Sequence, residues 1–170
     1  MGIKNPIHQE GVYFLTMTVV DWVDIFTRPI YKDIIVDSLK YCQKHKGLEL
    51  FAWVLMTNHI HLVARTKENH HLSDFLRDFK KFTAKKLSAA IATENESRKE
   101  WILYRLQYHV HFDTERTFQL WKEGNEAKEI ISKEFIDQKI DYIHQNPVKA
   151  GIVYEPEHYI YSSAIDYGGR

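Results

Sequence analysis

The sequence predicts an α+β fold with an antiparallel sheet, on three observations. Its 170 residues suit one domain, and 44% hydrophobic with 14% aromatic content is enough for a sizeable core. The apolar pattern switches repeatedly between a period of two and a helical period. Two β-rich runs are separated only by Thr57-Asn58, a spacing that fits a hairpin.

The elements follow in order. Tyr13 to Val20 is dense in aromatic and β-branched residues and reads as a strand. Pro29 suits the first turn of a helix, along which Ile30, Ile34, Val36 or Asp37, and Tyr41 recur until a stop at Lys46-Gly47. Leu48 to Met56 and His59 to Arg65 are the two hairpin strands. Leu72 to Ile91 is helical, with Ser73 as candidate cap and Phe75, Phe79, Phe82 and Leu87 as its buried stripe. Residues 92 to 98 are polar, and Ser97-Arg98-Lys99-Glu100 has the capping-box pattern for a short helix over 98 to 109. Phe118 to Ile130 fits neither period, with its best strand segment at Phe118 to Trp121. Ser132 caps a last helix that ends near Asn146, because Pro147 disfavours α geometry in the residue before it. This order is similar to a ferredoxin-like arrangement: one domain over 1–170, with 155–170 as a C-terminal tail.

Composition narrows the function classes. No apolar run is long enough for a membrane span, and the first residues do not read as a secretory signal. The single cysteine, Cys42, excludes an intrachain disulfide and fits a reducing cytoplasm. With 23 basic and 23 acidic residues the net charge is zero, so any nucleic-acid surface must be a local patch.

Two segments carry chemistry. In Met56-Thr57-Asn58-His59-Ile60-His61-Leu62-Val63, alternate strand residues share a face, so His59 and His61 point together and can hold one divalent ion. A second His-x-His, His109-Val110-His111, reads as surface: on a helix its imidazoles would diverge by about 200°. His70-His71 are adjacent and read as solvated loop. In the last helix Ile136, Ile140 and Ile143 form an apolar stripe. Tyr142 lies off it, with Gln138 four residues before and Asn146 four after on its own face. Such a tyrosine is either a boundary residue or a covalent nucleophile.

Together, the His-hydrophobe-His and the later Asp141-Tyr142-Ile143-His144-Gln145-Asn146-Pro147-Val148-Lys149 resemble the single-tyrosine, IS200-like transposases of the HUH superfamily. Glu157-His158-Tyr159-Ile160-Tyr161-Ser162-Ser163-Ala164 is similar to the tail of their REP-associated branch, so the likeness spans residues 12 to 167. The resemblance implies that His59 and His61 bind Mg2+ or Mn2+, with Asn146 as third polar ligand and Gln138 as the alternative. It implies that Tyr142 attacks a DNA phosphate, leaves a 5′-phosphotyrosine and releases a 3′-hydroxyl that can later rejoin the strand. Lys149 and His144 are the candidate bases.

The implied partner is single-stranded or hairpin DNA in the cytoplasm of a bacterial or archaeal cell, at the nucleoid, with monomer and homodimer both open. Arg77, Lys80, Lys81, Lys85 and Lys86 on the 72–91 helix are the candidate phosphate contacts, extended by Arg98, Lys99 and Arg105. Tyr104, Tyr108, Phe112 and Trp121 are candidate stacking residues by location, with core packing the preferred reading of Trp121. Two other functions fit the same residues: a phosphodiesterase using water without a covalent step, and a non-catalytic DNA-binding domain.

Overall fold

The computed structural model describes residues 7–8, 10–110, 117–124 and 126–169. Four strands form one sheet: β1 (Tyr13–Thr18), β2 (Leu48–Leu55), β3 (His59–Thr66) and β4 (Glu126–Glu129). Their order is β2-β3-β1-β4 and every neighbouring pair is antiparallel, as expected for a ferredoxin-like α+β fold. The helices are α1 (Pro29–His45), α2 (Leu72–Thr93), α3 (Lys99–Tyr108), α4 (Lys133–Lys149) and a final turn α5 (Ala164–Tyr167), with 3-10 turns at Val20–Trp22 and Pro156–His158. Among the described residues no helix is long and apolar enough to cross a membrane.

Strand alternation divides the molecule into two layers. Tyr13, Leu15 and Met17 of β1 and Ile60, Leu62 and Ala64 of β3 pack with Tyr31, Ile35 and Leu39 of α1 and Phe75, Leu76 and Phe79 of α2. The intervening residues, Phe14 and Val63, face the other way and pack with Ile143, Ile136 and Ile140 of α4. An irregularity in β2 between Leu50 and Ala52 reverses that strand's phase. Ala52 and Val54 consequently join the α4 side. Gly47 follows α1 with φ +65°, the left-handed position that favours glycine after a helix, and the His70 ring lies where a Cβ would stand.

Several expected details differ. The buried stripe of α1 is Tyr31, Ile35, Leu39 and Cys42, while Ile30 and Tyr41 are exposed. Both sets have helical spacing; the one chosen lets Tyr31 reach Glu96 beyond α2. On α2, Phe82 is exposed and Thr83 takes the inward position. The Thr83 hydroxyl donates to the Phe79 carbonyl and accepts from Trp121 Nε1 at 2.9 Å, so the indole N–H is satisfied in the core. His71, not Ser73, occupies the N-cap of α2. Arg98 caps α3, and its N–H bonds Glu96 Oε1 rather than Ser97, so the capping box does not form. The fourth strand is Glu126–Glu129 rather than Phe118–Trp121, where only a single bridge joins Trp121 to Val19. Ser132 caps α4 as expected, accepting from Phe135 N at 3.1 Å. Pro147 does not end that helix, which runs on to Lys149.

The tail closes the open edge of β2. Tyr161 O accepts from Leu55 N and Ser163 N donates to Trp53 O, both at 2.9 Å. The Tyr159 hydroxyl donates to Leu55 O and the Tyr167 hydroxyl to Phe51 O, each at 2.6 Å. His144 Nε2 on α4 meets Ser163 Oγ at 2.9 Å, so the same tail is bonded to the helix that carries Tyr142.

Candidate functional site

The site forms where the α4 side of the sheet meets the start of β3. Antiparallel pairing places Thr16 opposite His61 and Thr18 opposite His59. His59 and His61 therefore share one face, with ring centroids 4.7 Å apart. The apolar stripe of α4 docks on that face and brings Tyr142 with it: its ring lies 5.4 Å from His61 and 5.8 Å from Phe14. Phe14 stacks on His61 at 5.2 Å and completes an aromatic wall.

Each imidazole has a partner on its δ nitrogen. Thr16 Oγ1 lies 2.8 Å from His61 Nδ1, and Asn58 Oδ1 lies 2.7 Å from His59 Nδ1. Asn58 is oriented by its own amide nitrogen, which donates to Trp22 O at 3.2 Å. Its oxygen thus faces His59 and calls for the Nδ1–H tautomer, which puts the free lone pair of His59 on Nε2. Burial, then the neighbouring His59 and Lys139, push His61 down to about 3, and burial lowers His59. Burial thus favours the neutral form of both rings, the form that ligates a metal.

These residues fit a divalent ion. Two neutral imidazoles, oriented through their second nitrogens, are an ordinary metal-binding pair. Among the described residues no three His, Cys, Asp or Glu side chains cluster, so the remaining ligands would have to be neutral oxygens or those of a bound phosphate. Asn146 stands one helical turn beyond Tyr142, and its Nδ2 donates to Tyr142 O at 2.9 Å, a bond that uses its nitrogen and not its oxygen. The continuation of α4 through Pro147 is what holds it on that turn.

The candidate bases separate. His144 is turned to Ser163 and Tyr167, away from Tyr142. Lys149 Nζ lies 5.9 Å from the Tyr142 ring centroid. Lys139, which the sequence reading passed over, lies 5.5 Å from that centroid and 4.7 Å from that of Phe14. Its signal was the i, i+3 spacing to Tyr142. Thr16 was recoverable only once the β1–β3 register was known.

The expected phosphate-binding stripe lies elsewhere. It is on α2, which covers the opposite side of the sheet. Lys81, Lys85 and Lys86 are exposed there. Arg77 pairs with Asp74 and Asp78. Lys80 donates to Gly124 O at 2.7 Å and Lys122 O at 3.2 Å, and burial lowers it to about 8, so its ammonium anchors the segment before β4. Arg98 bonds Glu96 and Asp24 O, and Arg105 pairs with Asp21. Tyr104 and Tyr108 are exposed, whereas Trp121 is buried. His111 and Phe112 lie outside the described residues, while His109 Nε2 sits 2.9 Å from Asp21.

Comparison with known proteins gives the family and the fold. Residues 12–123 match the family described as IS200-like transposase. The fold is similar to the structure of a REP-associated tyrosine transposase bound to a REP hairpin, at 17% identity and TM-score 0.70, covering 100% of this chain and 86% of that one. It is also similar to a protein of Deinococcus radiodurans R1 assigned as a transposase, at 18% identity and TM-score 0.51, over 85% of this chain and 97% of that one. No curated protein matches the chain at a significant level.

Proposed function

The chain belongs to the IS200-like transposase family, enzymes of DNA transposition, and from that premise we propose that it nicks and rejoins single-stranded or hairpin DNA through a tyrosine-linked intermediate. The observation that most supports this reading is Tyr142, 40% exposed, with its ring 5.4 Å from that of His61. A nucleophile must be reachable by substrate, and a buried boundary tyrosine would not be.

His59, His61 and Asn146 would hold Mg2+ or Mn2+, which when bound supplies Lewis-acid polarisation of the scissile phosphate. Tyr142 Oη attacks phosphorus. The Oη–P bond forms, the P–O3′ bond breaks, the phenolic proton passes to solvent and the departing 3′-oxygen takes up a proton. The product is a 5′-phosphotyrosine and a free 3′-hydroxyl. Rejoining reverses these bonds with a 3′-hydroxyl as nucleophile, so no nucleotide cofactor is consumed. Lys139 and Lys149, both against the Tyr142 ring, bring positive charge to the phenolate as it forms. Phe14 and the stacked His61 restrict the ring to one approach. Because α4 lies on the sheet of its own chain, Tyr142 would act beside that chain's own histidines.

A hairpin-bound neighbour makes hairpin DNA the first substrate to test. Lys81, Lys85 and Lys86, with Arg77, would engage phosphates around the edge of the sheet rather than at the site itself. The test incubates wild type and Tyr142→Phe with an end-labelled single-stranded hairpin and Mn2+, resolving protein–DNA adducts on a denaturing gel. Wild type should give an adduct and the variant none. Cleavage by wild type without any adduct would instead assign a water-using phosphodiesterase.

A further inference from the structure

Immediately after β1 the chain makes a turn that takes no part in the chemistry above. Asp21 and Trp22 have φ of 54° and 51°, left-handed values that residues with side chains rarely adopt. Backbone strain of this kind persists only where surrounding contacts over-determine it. Three sets of contacts do so here. Val20 N donates to Leu120 O at 2.9 Å. The Asp21 carboxylate holds His109 at 2.9 Å and Arg105 at 3.5 Å. Asn58 Nδ2 donates to Trp22 O at 3.2 Å.

The turn leaves a large indole outside the core. Trp22 is 63% exposed, although tryptophan is usually well covered. Lys122 Nζ stands over its ring. The indole lines a cavity of about 360 Å³ together with Val20, Asp21, His109, Gln119, Lys122 and Glu123. An aromatic face, an ammonium and an open concavity suit a flat heterocycle next to a phosphate; of the two carboxylates that line the cavity, Asp21 is paired with Arg105, and Glu123 leaves Lys122 as the phosphate contact.

The turn is also tied to the candidate metal pair. The Asn58 side chain that holds Trp22 O through its nitrogen holds His59 Nδ1 through its oxygen at 2.7 Å. Val19 N donates to Asn58 O at 2.9 Å, and Thr18 pairs with His59. One amide therefore ties the backbone of Trp22 to the imidazole of His59.

We propose that Trp22 and Lys122 form a subsite for one unpaired base of the DNA strand: the Lys122 ammonium swings off the indole to take the adjoining phosphate, and the base stacks on the ring face it leaves. The subsite rests on the DNA-processing reading above and would fix which nucleotide flanks the scissile phosphate. Stacking of this kind tolerates any base, so it sets position more than sequence.

The test measures affinity by fluorescence anisotropy in the Tyr142→Phe background, which keeps the DNA intact. The probe is a labelled hairpin with single-stranded extensions on both sides, scanned one nucleotide at a time with abasic replacements. The parent should lose affinity at one extension position by about fivefold to 100-fold. Trp22→Ala should bind the intact probe more weakly by a similar factor and become insensitive at that one position, while Trp22→Phe keeps most of both. Lys122→Gln should flatten the salt dependence by about one phosphate contact. An abasic profile for Trp22→Ala identical to the parent's would overturn the subsite alone, given adducts with wild type. If the parent binds no hairpin and wild type forms no adduct, the DNA-processing reading falls and takes the subsite with it.

Discussion

On β3, Ile60, Leu62 and Ala64 turn towards α1 and α2, whereas His59 and His61 turn towards α4. One eight-residue strand thus serves two purposes with alternate side chains. The α1–α2 side gathers most of the large buried residues, while the α4 side is a small cluster interrupted by imidazoles, Thr16 and a half-open tyrosine. The division teaches that polar groups which would be expensive in a core are tolerated where the other face supplies the stability. It also predicts that adjacent residues should fail in different ways.

The sharpest contrast is between neighbours. Leu62→Ala should lower unfolding stability by about 2–5 kcal/mol in urea titration, through the cavity it leaves. His61→Ala should leave the fold in place and cut adduct formation by more than about 100-fold, since even second-layer changes at metal sites cost 10–100-fold. If His61→Ala unfolds the protein as Leu62→Ala does, the two faces are not separable.

Acid should act on the imidazole face. His61 is held down to about 3 mainly by burial, so the unfolded chain binds more protons than the folded one between that value and about 6.5. Stability in chelator-containing buffer should therefore rise with pH across that window, falling as pH drops through it. His61→Gln should flatten the slope. Thermal melts at a series of pH values would read this, and an unchanged slope would break the argument.

The smallest effects belong to α2. Thr83→Val should cost about 1–3 kcal/mol because Trp121 Nε1 loses its partner inside the core. Phe82→Ser, one residue earlier but exposed, should stay within about 0.5 kcal/mol. Equal losses would mean that the sequence expectation for Phe82 was right and the packing described here is not.

That reversal shows what the sequence carried. His59 and His61 were legible because a strand has a period of two and no alternative phase keeps Ile60 and Leu62 buried. Tyr142 and Asn146 were legible as a pair at i, i+4 on a capped helix. The α1 and α2 stripes were harder, because Ile30/Ile34 and Tyr31/Ile35, or Phe82 and Thr83, satisfy helical spacing equally, and tertiary contacts with Glu96 and Trp121 decide between them. β4 carried almost no signal: Glu-Ala-Lys-Glu has one apolar residue, and its pairing comes from β1 alone. Pro147 misled because a preference at the preceding residue was taken as a boundary, whereas docking of Ile143 and Pro147 keeps the helix going. Trp22 was invisible as a feature, since neither left-handed φ nor an outward indole can be read from Val-Asp-Trp.

The strip of tail on β2 has a consequence beyond the site. A bare strand edge is a template on which other chains can assemble. Tyr161 and Ser163 occupy that template, while Tyr159 and Tyr167 fasten the strip from either side. A chain shortened to Glu155 would keep its histidines and tyrosine yet acquire a sticky seam. Its first defect would be colloidal rather than chemical, because the residues after Glu155 are what cover that edge.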